Sequence, residues 1–342
     1  MAPAGAGPVD ILIVSLGSTS GLRAADSELA GSLRRAGASV ALVAASPPRP
    51  LRTLALTDLA WALAARRAAL AALTGHRPRA IVYSSTTASL LWPRPGAIRF
   101  DAPAAANRPG RHGLWQRPLE RRRLARAPLL LPWSAGGLEE TPAAAREDGR
   151  ALVLPVPVEP SGPPAAVRDI AAVAYAANPL KKGLDRVLSA WLRVRRSGEL
   201  LFVAGASPAE LARAGISLPG EGVHVTGLLP PDEYRALLRR ARVFVCAPRR
   251  EDYGLAQLEA LADGCLLVTT PAPGPYAALG IARSLDGRLV GEDLGTALRT
   301  ALDDPAVSGY AGRAASALAM FSRAAGDRIV REDLLPLLLS SS

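Results

Sequence analysis

With 342 residues, 49% of them hydrophobic, the chain is long enough for two domains with separate cores, and no long polar tract points to disorder. No apolar stretch approaches the roughly 20 residues of a membrane span, the first apolar run lacks the basic flank of a signal peptide, and both cysteines fall in predicted core strands, which argues against a disulfide framework or metal cluster. The net charge of +11 is almost all arginine, with lysine only at Lys181 and Lys182, as a GC-rich coding bias would give.

Alternating apolar strands and amphipathic helices run through the first half. Strand Asp10 to Leu16 ends at the loop Gly17-Ser-Thr-Ser-Gly21, and a helix follows from about Ala24 to Arg35. Then come a strand from Ser39 to Val43, a helix from about Leu54 to Leu73, and strands Ala80 to Tyr83 and Ala97 to Phe100. An Arg-rich helix from about Leu114 to Arg126 and strand Pro128 to Leu131 close the half. The order predicts a parallel, doubly wound sheet. Val-Pro-Val-Glu-Pro-Ser-Gly-Pro-Pro, between Pro155 and Pro164, marks a boundary.

The pattern restarts with strand Ile170 to Ala176, the loop Asn178-Pro-Leu-Lys-Lys-Gly183 and a helix from Leu184 to Arg195. Strands Leu200 to Ala204 and Val223 to Thr226 precede a helix from Asp232 to Arg240, and helices return between about Gly309 and Leu338. The expected fold class is α/β, two Rossmann-like doubly wound domains facing each other across a cleft. Residues 1–160 form the first domain and residues 165–308 the second, with terminal helices, 309–342, crossing back to the first.

One segment concentrates the chemistry. Strand Val243-Phe-Val-Cys-Ala247 leads into Pro248, a loop carrying Arg249, Arg250 and Glu251, a helix opened by Gly254 and stopped by Gly264, and strand Cys265 to Thr269. Glu259 shares a helical face with Leu255 and Ala262, so its carboxylate needs protein partners or a polar ligand. Gly254 and Glu259 lie roughly 7–8 Å apart along the helix axis. The free N–H groups at the helix start can hold an anion. Carboxylates on either side of that point suit a nucleotide-sugar: sugar hydroxyls, diphosphate, ribose hydroxyls.

Glu251-Asp-Tyr-Gly-Leu-Ala-Gln-Leu-Glu259-Ala-Leu-Ala-Asp-Gly closely resembles the donor-binding signature of glycosyltransferase family 4, retaining nucleotide-sugar enzymes of the GT-B fold. Gly222-Val-His-Val-Thr-Gly227 with Pro231-Asp-Glu-Tyr, and Tyr175-Ala-Ala-Asn-Pro-Leu-Lys-Lys-Gly183, resemble neighbouring family segments in order and spacing. The likeness is good from about residue 170 to 270 and thinner before. It implies that Glu251 holds sugar hydroxyls, Glu259 the ribose, and Lys182 with the N–H groups near Tyr253, Gly254 and Leu255 the diphosphate. Asn178 shares the lysine loop. The family's usual arginine five residues before this lysine is Ala177 here, so a second cation must come from elsewhere, with Arg249 and Arg250 as candidates.

In the first domain the resemblance points to Gly17 and Ser18, in a loop that approaches donor phosphate and acceptor, with an ordinary strand-to-helix turn as the alternative, and to Asp101, where many members carry a histidine. A catalytic set of Asp101, Lys182 and Glu251 follows, with an ordinary turn cap as the alternative for Asp101. His112 is a further candidate, while His76 and His224 read as structural. No Asp-x-Asp occurs, so a metal-independent reaction is expected, with the nucleotide-diphosphate-sugar as co-substrate and no other cofactor. The acceptor is a glycan, a lipid or a small molecule. Arg117, Arg121, Arg122, Arg123 and Arg126 could meet anionic membrane or simply form a solvated face. The expected location is cytoplasmic, with peripheral contact at the inner face of the membrane as an extension. An epimerase of the same fold and a basic nucleic-acid or membrane-surface binder are the alternatives, the nucleic-acid reading disfavoured by scarce aromatics and the lack of a recognised motif.

Overall fold

The computed structural model describes residues 7–340 apart from 50, 52, 109, 147, 148, 164 and 305–308. Two compact units result, Met1–Pro157 with Arg323–Ser342, and Val158–Ser322. The far end of the Pro155 to Pro164 boundary and the end of the predicted second domain at 308 lie outside the described residues.

The first unit contains β1 (Gly7–Ser15), α1 (Ser20–Arg35), β2 (Val40–Ala44), α2 (Leu54–Gly75), β3 (His76–Tyr83), β4 (Ala97–Phe100), α3 (Gln116–Arg126) and β5 (Leu130–Pro132). Its strands pair in parallel in the order β2-β1-β3-β4-β5. β1 carries an unbroken apolar run because both faces of a parallel sheet are covered. Leu12 and Val14 pack with Ala65, Ala69 and Tyr83 on one face. Ile11 and Ile13 pack with Leu29 and Leu33 on the other, joined by Val330, Leu334 and Leu338 from the chain end. Those three side chains are worth on the order of 5 kcal/mol of burial, enough to hold the last helical segment on this sheet. Thr19 and Thr53 start α1 and α2 by accepting the N–H of Leu22 and Leu56.

The second unit contains β6 (Ile170–Tyr175), α4 (Leu184–Val194), β7 (Leu201–Ala204), β8 (Val223–Gly227), α5 (Pro231–Arg240), β9 (Ala241–Cys246), α6 (Leu255–Ala262), β10 (Leu266–Thr269), α7 (Ala277–Leu285), α8 (Leu294–Asp303) and α9 (Tyr310–Ala317). The strands are parallel in the order β10-β9-β6-β7-β8. α7 and α8 were not expected from the sequence. α8 buries Leu294, Leu298 and Leu302. α9 belongs to this unit, where the Tyr310 hydroxyl accepts the Leu267 N–H at 3.3 Å, and the return to the first unit starts at Arg323.

Candidate functional site

Strand order makes the site. β6 and β9 are neighbours, so the loops leaving their C-terminal ends meet, as ligand loops do in doubly wound sheets. In the first loop, Asn178 receives the N–H of Lys181 on its side chain at 3.2 Å and that of Lys182 on its carbonyl at 2.8 Å. Gly183 then caps α4 in the left-handed region, φ +67°. A β-carbon there would stand 1.8 Å from the Ala247 carbonyl oxygen, so only glycine lets the loop rest on the end of β9. Arg249 joins the two loops. Its backbone N–H donates to the Lys181 carbonyl at 2.9 Å and its guanidinium grips Asp185 at 2.8 and 2.6 Å.

This closure sets Lys182 against Glu251, Nζ to Oε2 2.6 Å, with Glu251 only 5% exposed. Gln257 donates to the same oxygen at 3.0 Å from α6. Asp252 takes an ion pair from Lys181 and another from Arg250, whose Nε lies 2.9 Å from Oδ1. The two arginines considered as a second phosphate cation, Arg249 and Arg250, are thus both engaged with aspartates. The Tyr253 ring is buried and meets Phe321 edge-on at 6.4 Å. Gly254, φ +93°, precedes α6 with no side chain capping the helix, and Leu255 is half-buried.

Glu259 departs from the expected surroundings. The core face of α6 carries Gln257, Leu258 and Leu261, while Leu255, Glu259 and Ala262 form its half-buried flank. Among the described residues the Glu259 carboxylate makes no hydrogen bond or close ion pair. Burial pushes its carboxyl up to about 7, against the pull of Arg235, with the Asp263 charge adding to the rise. A carboxylate so placed is open to a hydroxyl donor.

In the first unit, Gly17 at the end of β1 is held by a hydrogen bond from Arg23 to its carbonyl at 2.8 Å, and Ser18 is exposed. Asp101 follows β4, half-buried, its Oδ1 accepting the N–H of Ala102 at 2.8 Å. The turn after it is held by Glu120, which accepts the N–H groups of Ala104 and Ala105 at 2.8 and 2.9 Å and whose carboxyl is pushed up by burial. His112 is exposed. Within the basic helix the arginines divide. Arg117 donates to the Gly110 carbonyl and Arg123 to that of Leu90 while lying 4.8 Å over Trp92, whereas Arg121, Arg122 and Arg126 are exposed.

Two buried polar groupings were missed. Gln257 is one. The other lies under the β1 loop: Ser15 donates to Asp26 at 2.5 Å, and Asp26 faces Arg99 at 3.5 Å, with Arg99 5.1 Å over Trp133. Burial pushes the Asp26 carboxyl up despite Arg99. The signal was available in both cases, a polar residue inside an apolar helix or strand.

Residues 168–304 match the family model described as glycosyl transferases group 1. The second unit is a group 1 glycosyltransferase domain. Its lysine loop, Glu251 and α6 all lie inside the matched residues. No curated relative matches the chain in sequence. Among solved structures, the group 1 domain and the rest of the chain together resemble sucrose-phosphate synthase from Thermosynechococcus elongatus, at 14% identity and TM-score 0.71, over 98% of this chain and 100% of that one. WaaG, a glycosyltransferase involved in lipopolysaccharide biosynthesis, is similar at 16% identity and TM-score 0.63, over 98% and 99%. HepE of Anabaena, solved in complex with UDP-glucose, is similar at 12% identity and TM-score 0.67, over 95% and 99%. The fold is that of GT-B glycosyltransferases. Among the described residues no helix is long and apolar enough to cross a membrane, and no group of three or more His, Cys, Asp or Glu side chains could hold a metal ion.

Proposed function

We propose that this glycosyltransferase is a family 4-like, retaining enzyme that moves a sugar from a nucleoside diphosphate sugar to an acceptor hydroxyl without a metal ion. The observation that carries the reading is the Lys182–Glu251 pair at the mouth of α6, with the unpartnered Glu259 about one helical turn beyond. Lys182 and the first N–H groups of α6 would take the diphosphate, and charge placed there favours the leaving group as its bond breaks. Glu251 would take sugar hydroxyls and Glu259 the ribose. The acceptor would attack on the face from which the phosphate departs, with Asp101 of the first unit orienting its hydroxyl. A uridine nucleotide is the first choice, supported by the UDP-glucose complex of the similar HepE.

A thermal-shift screen against UDP-, GDP- and ADP-sugars tests the donor, since a ligand at 100 times its Kd adds about 2.7 kcal/mol. Product analysis then separates the classes: transfer with retained anomeric configuration and full activity in EDTA supports the reading. Donor epimerised without an acceptor replaces it with the epimerase. Arg121, Arg122 and Arg126 form the outward basic face proposed for anionic lipid, and equal sedimentation with neutral and phosphatidylglycerol vesicles would remove that partner.

A further inference from the structure

We propose that Gln257 is a positioning residue that aims the Glu251 carboxylate at the donor sugar, an inference that rests on the sugar-transfer reading above. Both protein donors to Glu251, Lys182 at 2.6 Å and Gln257 at 3.0 Å, converge on Oε2. No described donor reaches Oε1. One oxygen is held from behind while the other is free to accept from a hydroxyl.

Gln257 occupies the core face of α6 at 1% exposure, a position where leucine would pack without leaving polar atoms to satisfy. Its Oε1 has no hydrogen-bond partner. A buried acceptor left unmatched is a stability cost that calls for a reason. The Nε2 contact supplies one. The amide cannot usefully turn, because the reversed orientation would set an oxygen against the carboxylate. Nε2 also lies 3.6 Å from Cys246 Sγ, which is 3.2 Å from Thr269 Oγ1, itself 2.9 Å from the Tyr276 hydroxyl. The Tyr276 ring closes against Gly254, where a β-carbon would come within 2.9 Å. Gln257 is therefore seated on a buried polar chain running from β9 to β10.

The division of labour between the two donors is chemical. Lys182 carries a mobile charge and three N–H bonds, and a diphosphate competes with Glu251 for them. Gln257 is neutral, buried and does not titrate, so it stays with Glu251 when phosphate draws the lysine. It keeps Oε1 directed outward throughout turnover.

Gln257→Met preserves length and apolar packing and removes the donor. With whichever of UDP-glucose, GDP-mannose or ADP-glucose the wild-type protein turns over, kcat should fall on the order of 10- to 100-fold, as for a lost hydrogen bond to a charged group. Calorimetric affinity for the free nucleoside diphosphate should not change, and the melting temperature should hold or rise. Gln257→Glu should be impaired at neutral pH and regain activity relative to wild type as pH falls, because the introduced carboxyl, once protonated, again donates to Glu251. This second variant decides the matter if the first does not fold. Wild-type kcat in Gln257→Met, or a pH-independent ratio for Gln257→Glu, overturns the role of Gln257 while leaving sugar transfer intact. A wild-type protein that turns over none of the three donors overturns the transfer reading, and this inference with it.

Discussion

Lys182 and Glu251, 69 residues apart, meet at 2.6 Å because the strands before them are neighbours in the second sheet. The ammonium is the partner of a nearly buried carboxylate and, in the proposed reaction, the cation for the departing diphosphate. Those two duties can be separated. Lys182→Ala should cost about 2–4 kcal/mol of stability by stranding Glu251, and should lower turnover more than donor affinity. The double variant Lys182→Ala with Glu251→Gln should recover most of the melting temperature but not the turnover. Full activity of Lys182→Ala at saturating donor would remove the leaving-group role.

Glu259 gives the protein a pH dependence of definite sign. An ordinary glutamate titrates near 4.3, and in the native protein burial pushes this one up to about 7. Between those values the folded chain retains a proton that the unfolded chain has released. Its stability therefore falls as pH rises through the window, by on the order of 3 kcal/mol in all. Nucleotide affinity should move the other way, because the ionised carboxylate is the stronger acceptor for ribose hydroxyls. Calorimetry with UDP and melting curves from about pH 5 to 8.5 should show both trends in the wild type and neither in Glu259→Gln. A Kd that ignores pH in the wild type would count against the ribose contact.

Asp101 carries two assignments that one substitution separates. Asparagine keeps the acceptor for the Ala102 N–H, which the structure shows at 2.8 Å, and removes the charge. Asp101→Asn should leave the melting temperature unchanged and lower transfer about 10²-fold with donor affinity intact, the loss expected of an acid–base group. Parental turnover would restrict Asp101 to its turn.

Gly183→Ala should be among the most damaging single changes in the second unit. The added carbon meets the Ala247 carbonyl at 1.8 Å, and the left-handed backbone adds its own strain. A loss of more than about 3 kcal/mol, read by denaturant unfolding, is expected. Gly287→Ala, at a glycine where nothing lies within 4 Å and φ is not positive, should change stability by less than about 0.5 kcal/mol.

Much of this protein is written locally. The run Ile11 to Val14, the threonines that open α1 and α2, Gly254 before α6 and Gly264 after it, and the eight-residue spacing from Glu251 to Glu259 all act through the 2.0 and 3.6 periodicities and the chemistry of helix ends. These features act over one or two turns of chain, so they can be read in order along it. The order of strands in a sheet cannot. Nothing in Ile170–Tyr175 says that Ala241–Cys246 will lie beside it rather than Leu201–Ala204 alone, and that adjacency brings Lys182 to Glu251 and ties Arg249 to Asp185. The same holds for Gln257 behind Glu251, for Asp26 beneath Arg99, and for Glu259 on the flank of α6 rather than in its core stripe. Each depends on which side of an element faces which neighbour. A buried polar group gains its meaning from a partner that only the folded sheet supplies.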